Sequence, residues 1–174
     1  MNRFISLGLM LFVIAVMPSM ASAQGFPWDD FERRTLQEMV KINEREEGEN
    51  IKRSPDQTQF VFRDAKLPSA VRATYTGESR PMSAERKKFV ETWARSYFRN
   101  TGYANLYAAE FLFKEGNEDY WLPVQKDVAK YFSEELKKGD PVDLYLISPG
   151  GLRVNNGKTL WVFLVEQFQQ PSNN

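Results

Sequence analysis

Apolar and polar residues follow two different periods along the chain. Helical spacing is clearest between Ser83 and Gly102, where six apolar side chains from Phe89 to Phe98 fall on one face and Ser83 can cap the first turn. Apolar residues four apart recur at 126–139. The pattern therefore predicts a long helix and a shorter one.

The second period is the alternation typical of half-buried strands. Alternating or continuous apolar segments predict strands at six places, 58–64, 70–77, 105–113, 119–124, 141–148 and 160–165. Gly116 and Asn117 separate the third and fourth of these, and Asn156 and Gly157 separate the last two; such residues favour the tight turn of a β-hairpin. Two hairpins with a helix between them are therefore expected.

The first residues have the composition of a secretory signal. Arg3 is followed by an uncharged apolar stretch, and the small residues Ala21 and Ala23 precede Gln24. The apolar stretch is shorter than the roughly 20 residues that cross a bilayer. We expect cleavage before Gln24, no membrane span in the mature form, and a periplasmic or secreted location in a bacterium.

The segment after the signal has a narrow apolar stripe that predicts an N-terminal helix from Pro27 to Gly48, followed by a charged linker. The expected organisation is a signal, an N-terminal helix with its linker, one α+β domain and a disordered tail, at 1–23, 24–56, 57–169 and 170–174. The N-terminal helix could dock either on its own domain or on another envelope protein.

The order of elements predicts an antiparallel sheet of about five strands with two or three helices, preceded by the N-terminal helix. From residue 104 onward the order is strand, strand, helix, strand, strand, which resembles the small barrel of oligonucleotide/oligosaccharide-binding folds. An open antiparallel sheet with helices on one face is equally allowed.

Composition excludes several kinds of chemistry. The 23 basic and 23 acidic residues cancel, so the chain lacks the basic excess of a nucleic-acid-binding protein. It has no cysteine and no histidine, which removes disulfides, zinc sites built on those residues and Ser-His-Asp catalysis. The sequence Gly157-Lys158-Thr159 ends like a phosphate-binding loop, but that motif requires glycine where Leu152 stands. We expect no cofactor and no metal.

Carboxylates are the remaining candidates for catalysis. Glu110 interrupts an apolar strand, and Glu118 or Asp119 would face it across the hairpin. A pair of this kind can hydrolyse glycosidic bonds when the two carboxyl groups lie about 5 to 10 Å apart. The alternative is that Glu110 faces solvent and that the other two acids keep the turn soluble.

Trp121 and Tyr145 are the candidate ligand-binding residues. Each falls on the opposite face of its strand from its apolar neighbours, so the two would line a groove on which sugar rings stack. The alternative for Trp121 is that it packs beneath a helix. We therefore expect an exported, non-enzymatic binding or interaction module of the bacterial cell envelope, with an envelope glycan or another envelope protein as its partner. The alternative is a carboxylate-dependent hydrolase of envelope glycans.

Overall fold

The computed structural model describes residues 25–53, 59–63, 66–99, 102–154 and 157–171. Within these residues the chain has an α+β fold with three α-helices and a seven-stranded mixed sheet, which confirms the predicted class. The helices are α1 (Leu36–Arg53), α2 (Ala84–Phe98) and α3 (Lys126–Glu135). The strands are β1 (Glu32–Arg33), β2 (Phe60–Phe62), β3 (Ser69–Pro81), β4 (Tyr107–Glu115), β5 (Glu118–Gln125), β6 (Pro141–Arg153) and β7 (Thr159–Gln169). The predicted signal at 1–23 lies outside the described residues.

The sheet closes on itself through β3. This strand pairs with β6 from Ser69 to Thr74 and with β4 from Thr74 to Pro81, and a bulge between Tyr75 and Ser79 interrupts the pairing with β4. Gly77 has φ 80° in the bulge, a conformation that a glycine adopts without strain. β4 then pairs with β5, β5 with β7, and β7 with β6. Strands β3, β4, β5, β7 and β6 therefore form a closed ring.

The prediction of a purely antiparallel sheet of about five strands was wrong. Both early candidate segments form strands, as β2 and β3, and the two-residue β1 adds to the edge of β3. Two pairings, β1 with β3 and β5 with β7, are parallel. The parallel contact of β5 with β7 arises because α3 and β6 intervene in the chain, so that β7 returns in the direction of β5.

The prediction of an N-terminal helix beginning after Pro27 and preceding the domain was also wrong. Residues Trp28–Asp30 form a 3₁₀ turn and β1 follows it. Helix α1 begins only after Thr35, because Thr35 and Glu38 form a capping box. The Glu38 carboxylate accepts the Thr35 backbone N–H at 2.7 Å, and the Thr35 hydroxyl accepts the Glu38 backbone N–H at 3.0 Å.

Helix α1 is an integral part of the domain. Leu36 and Met39 are fully buried in the core of the barrel, and the Asn43 amide donates to the Ser148 hydroxyl at 2.9 Å. The Glu115 carboxylate accepts the Leu36 backbone N–H at 2.8 Å, where the positive end of the helix favours an anion. The helix continues to Arg53, through most of the segment expected to be a linker. Its apolar stripe is therefore occupied by its own domain.

Two apolar clusters lie on the two faces of the sheet. The inner cluster fills the ring of strands and includes Phe113, Leu122 and Val165, with Phe132 of α3 packed against it. The outer cluster holds α2 against β6 and β7, through Phe89, Val90, Trp93 and Ala94 of the helix. The Ser83 hydroxyl caps α2 by accepting the Arg86 backbone N–H, as predicted. Helix α2 therefore lies on the outside of the barrel, with its first turn close to β4 and β5.

Candidate functional site

The candidate site lies on the outer face of β4 and β5. Phe111 and Leu122 contact the inner core, so the alternating residues Glu110 and Trp121 point to the outer face. Arg80, at the end of β3, pairs directly with Glu110. Arg86, in the first turn of α2, donates a hydrogen bond to the same carboxylate. We call Arg80, Arg86, Glu110 and Trp121 the arginine site.

Glu110 is the centre of the arginine site and is completely buried, with 0% of its surface exposed. Its Oε2 accepts the Arg80 Nε–H at 2.8 Å and its Oε1 accepts an Arg86 Nη1–H at 2.6 Å. The Arg86 Nη1 also donates to the Trp121 carbonyl at 3.0 Å. Two ion pairs of this quality offset the cost of removing the carboxylate from water. Glu110 therefore does not face solvent, and both of its carboxylate oxygens are bound by arginine donors.

Arg80 is the member of the site that remains accessible. Its side chain is 46% exposed, and its guanidinium carbon lies 4.1 Å from the centre of the partly exposed Trp121 ring. A guanidinium carries five N–H donors, and only the Nε–H is used by Glu110. Stacking on the indole ring and the bond to a buried carboxylate fix the orientation of the remaining donors. The site therefore presents ordered hydrogen-bond donors beside an aromatic surface.

Glu118 and Asp119 do not approach Glu110. Glu110 lies opposite Pro123, whereas Glu118 and Asp119 lie opposite Glu115 and Lys114 at the tip of the hairpin. At about 3.3 Å per residue along β5, Asp119 is about 13 Å and Glu118 about 17 Å from the position opposite Glu110. Asp119 instead forms an exposed ion pair with Lys114 at 3.6 Å. The three acids do not form the closely spaced pair that hydrolysis requires.

Tyr145 lies in a different part of the barrel from Trp121. It is on the outer face of β6, a strand that does not pair with β5. Three aromatic residues of the N-terminal segment cover its ring, with centroid distances between 4.5 and 5.9 Å: Phe26, Trp28 and Phe31. Its hydroxyl donates to the Gln169 side chain at 2.8 Å. The structure therefore does not bring Tyr145 and Trp121 into one groove.

A second carboxylate cluster escaped the sequence analysis. Glu166 of β7 accepts hydrogen bonds from the Tyr103 hydroxyl at 3.0 Å, from the Tyr107 hydroxyl and from the Gln125 amide at 2.5 Å. We call Tyr103, Tyr107, Gln125 and Glu166 the tyrosine site. Burial raises the pKa of Glu166 above its usual value, although the three hydrogen bonds oppose the shift. The signal in the sequence was an acid directly after the apolar segment 160–165, and it gave no indication of the partners of Glu166.

A third carboxylate, Asp143 of β6, is buried beside two exposed arginines. Arg72 donates to it twice at 2.8 Å, and Arg33 donates at 3.1 and 3.2 Å. These hydrogen bonds, that from Arg72 above all, lower the pKa of Asp143 to about 2. The pairs join β1, β3 and β6, and none of the aromatic rings described in the structure stacks on either guanidinium. This cluster holds the N-terminal segment on the barrel.

The glycine-rich segment that ends in Gly157-Lys158-Thr159 lies at the hairpin of β6 and β7. A strand follows it, not the helix whose N-terminus holds phosphate in a phosphate-binding loop. A Cβ at Gly150 would lie 1.9 Å from the Val61 carbonyl oxygen, so glycine is needed there for the close approach of β2. Packing accounts for this glycine without a ligand.

The rest of the described chain offers few other starting points. Among its residues, no group of three or more acidic side chains is placed to hold a metal ion, and none of its helices is both long and apolar enough to cross a membrane. Comparison with known proteins found no matching family model, no matching curated protein and no matching solved structure. The geometry of the site is therefore the basis for a functional proposal.

Proposed function

We propose that this protein is an exported, non-enzymatic binding module of the bacterial cell envelope, and that it binds an envelope glycan across the outer face of β4 and β5. The observation that carries the proposal is the position of Arg80, between the Trp121 ring and the buried carboxylate of Glu110. Export rests on the signal-like composition of residues 1–23.

The order of strands supports this choice of face. The strands of the ring follow one another in space as β3, β4, β5, β7 and β6, and α3 lies in the chain between β5 and β6. This is the order of an oligonucleotide/oligosaccharide-binding barrel. Proteins of that fold bind their ligands on the second and third strands, to which β4 and β5 correspond. This is an argument from fold alone, and the chemistry of the arginine site must carry the rest.

The chemistry of the site favours a glycan over a nucleic acid. Lysine and arginine do not exceed aspartate and glutamate in the chain, whereas nucleic-acid binding depends on neutralising many phosphates. A glycan needs fewer charges, because its hydroxyl and carboxylate oxygens accept hydrogen bonds from an oriented guanidinium. The C–H faces of sugar rings can pack on the part of the Trp121 indole that remains exposed. The glycan is therefore the better match.

The positions of the candidate acids do not support the alternative of a glycan hydrolase. Glu110 is enclosed by two arginines, and Glu118 and Asp119 lie at the far end of the hairpin. A hydrolase that retains or inverts configuration needs an accessible acid and a second carboxylate within about 10 Å. We therefore propose binding without turnover.

The test is retention of the mature chain, from Gln24, on purified peptidoglycan and on other insoluble envelope polysaccharides. Replacing Trp121 by Ala or Arg80 by Ala should weaken retention about tenfold or more, because each removes a central contact. Arg72→Ala is a matched control, since Arg72 is also a half-exposed arginine paired with a buried carboxylate, but no ring in the described part of the chain stacks on it. Equal loss in the control, or no retention of the wild-type chain on any glycan, would contradict the proposal.

A further inference from the structure

An exposed apolar surface lies at the C-terminal end of α2. Tyr97, Phe98 and Leu106 are 41%, 39% and 43% exposed, although large apolar side chains are otherwise mostly buried in the described residues. Leu106 ends the 3₁₀ turn that follows α2. We call these three residues, together with Arg95 and Arg99, the α2 tip.

Packed aromatic rings support the α2 tip from below. The buried Trp93 ring lies 5.2 Å from Phe98 and 6.2 Å from Tyr97, measured between ring centres. Tyr103 stacks on Phe98 at 5.6 Å, and its hydroxyl is fixed by Glu166. Contacts with Trp93 and Tyr103 therefore hold the exposed Tyr97 and Phe98 rings in place at the surface.

Three exposed basic residues belong to the α2 tip or adjoin it. Arg95 and Arg99 are exposed, and the Lys66 ammonium lies 4.3 Å above the centre of the Phe98 ring. The sequence contains no acidic residue between Glu91 and Glu110. Beneath the tip, the Glu166 carboxylate accepts the Tyr103 hydroxyl, and its oxygens are bound within the tyrosine site. An apolar centre is thus bordered by cations.

The apolar area is too small for a stable protein partner. Three side chains that each expose about two-fifths of some 200 Å² offer roughly 250 Å² between them. A specific protein interface buries about 800 Å² on each partner. Anionic lipid needs less area, because a few aromatic side chains enter the headgroup region while each basic residue adds roughly fivefold to the affinity for anionic lipid.

We infer that the α2 tip docks this protein on an anionic phospholipid surface. Phe98, Tyr97 and Leu106 enter the boundary between headgroups and acyl chains, and Arg95 and Arg99 contact the lipid phosphates. The docked protein stays peripheral, since the tip inserts side chains only. This inference uses residues outside the arginine site and does not depend on glycan binding.

The test is co-sedimentation of the mature chain from Gln24 with vesicles of phosphatidylglycerol and with vesicles of phosphatidylcholine. The mature chain is used because an apolar signal segment would itself bind lipid. We expect binding to phosphatidylglycerol that weakens as salt is added, and little binding to phosphatidylcholine. Replacing Arg95 and Arg99 together by Gln should lower the partition coefficient roughly 25-fold, and replacing Phe98 and Leu106 together by Ser should lower it about tenfold or more.

Two matched variants control this test. Val154→Ser with Leu160→Ser removes apolar residues of similar exposure at another place, and Lys137→Gln with Lys138→Gln removes two exposed cations. Both should bind phosphatidylglycerol as the wild type does. Circular dichroism checks folding, and the arginine variant carries the test if the apolar variant is unfolded. The inference would be overturned by equal binding to both lipids or by an equal loss of binding in the control variants. It would also be overturned if the wild type sediments as a dimer and the Phe98 and Leu106 variant does not.

Discussion

Glu110 and Glu166 are alike in sequence and differ in what surrounds them. Each is an acid next to apolar residues in a strand, and each faces the outside of the barrel near α2. Glu110 is fully buried and paired with two arginines, whereas Glu166 is partly buried and held by two tyrosine hydroxyls and an amide. Both oxygens of Glu110 pair with arginine charges, whereas Glu166 is held by hydrogen bonds from neutral groups, with a smaller attraction from the Lys66 ammonium.

This difference decides what each carboxylate contributes. A buried ion pair becomes costly when one partner is lost, because a charge is left without compensation. A carboxylate surrounded by neutral donors bears a burial cost whenever it is charged, and loses that cost when it takes up a proton. The arginine site should therefore depend on the charge of Glu110, while the tyrosine site should tolerate a neutral side chain at position 166.

Replacing Glu110 by Gln should have the largest effect on stability. The change keeps the shape of the side chain but leaves Arg86, which is almost buried, without its counter-charge. We expect the free energy of unfolding, measured with urea, to fall by about 3 kcal/mol. Glu118→Gln at the exposed hairpin tip is the control and should leave it unchanged. A Glu110→Gln variant as stable as the wild type would remove the contrast between the two sites.

Sequence patterns predicted those parts of the fold that depend on local interactions. The hairpin of β4 and β5, with Gly116 at φ 60° in its turn, helix α2 with its Ser83 cap, and helix α3 all lie close to their expected positions. The start of α1 was missed, although its capping box was present in the sequence. The capping box of Thr35 and Glu38 sets the start of the helix, and the chain before it pairs with β3 instead.

The sites themselves could not be predicted, because their members are distant in the chain. Arg80 and Arg86 are 30 and 24 residues from Glu110, and Tyr103 is 63 residues from Glu166. Only the closure of the ring and the packing of α2 bring them together. The sequence marked Glu110 as unusual but gave no indication of its partners, and the expected pairing across the hairpin failed because Pro123 occupies the opposite position.

Replacing Tyr107 by Phe should have an intermediate effect. Tyr107 is 1% exposed and its hydroxyl donates to Glu166, so the variant leaves the carboxylate with one donor fewer. At neutral pH we expect the free energy of unfolding to fall by about 1 to 2 kcal/mol. Tyr103→Phe should cost less, because the Tyr103 hydroxyl is only partly buried. If Tyr107→Phe costs as much as Glu110→Gln, the tyrosine site is as dependent on its partners as the arginine site.

Replacing Glu166 by Gln should have the smallest effect, with a sign that depends on pH. The folded-state pKa of Glu166 is raised above 4.5, its ordinary value. Between the unfolded and the folded pKa the native state therefore holds a proton that the unfolded chain has lost, and the free energy of unfolding declines as pH rises through this range. The Gln variant lacks this decline. Its free energy of unfolding in urea should therefore rise relative to that of the wild type as pH increases from 4.5. The chain has no histidine to titrate in this range, and the loss of stability from Asp143, whose pKa is about 2, falls below pH 4. Parallel pH profiles for the two proteins would mean that burial does not penalise the Glu166 charge, and the two carboxylates would then differ in their partners but not in their energetics.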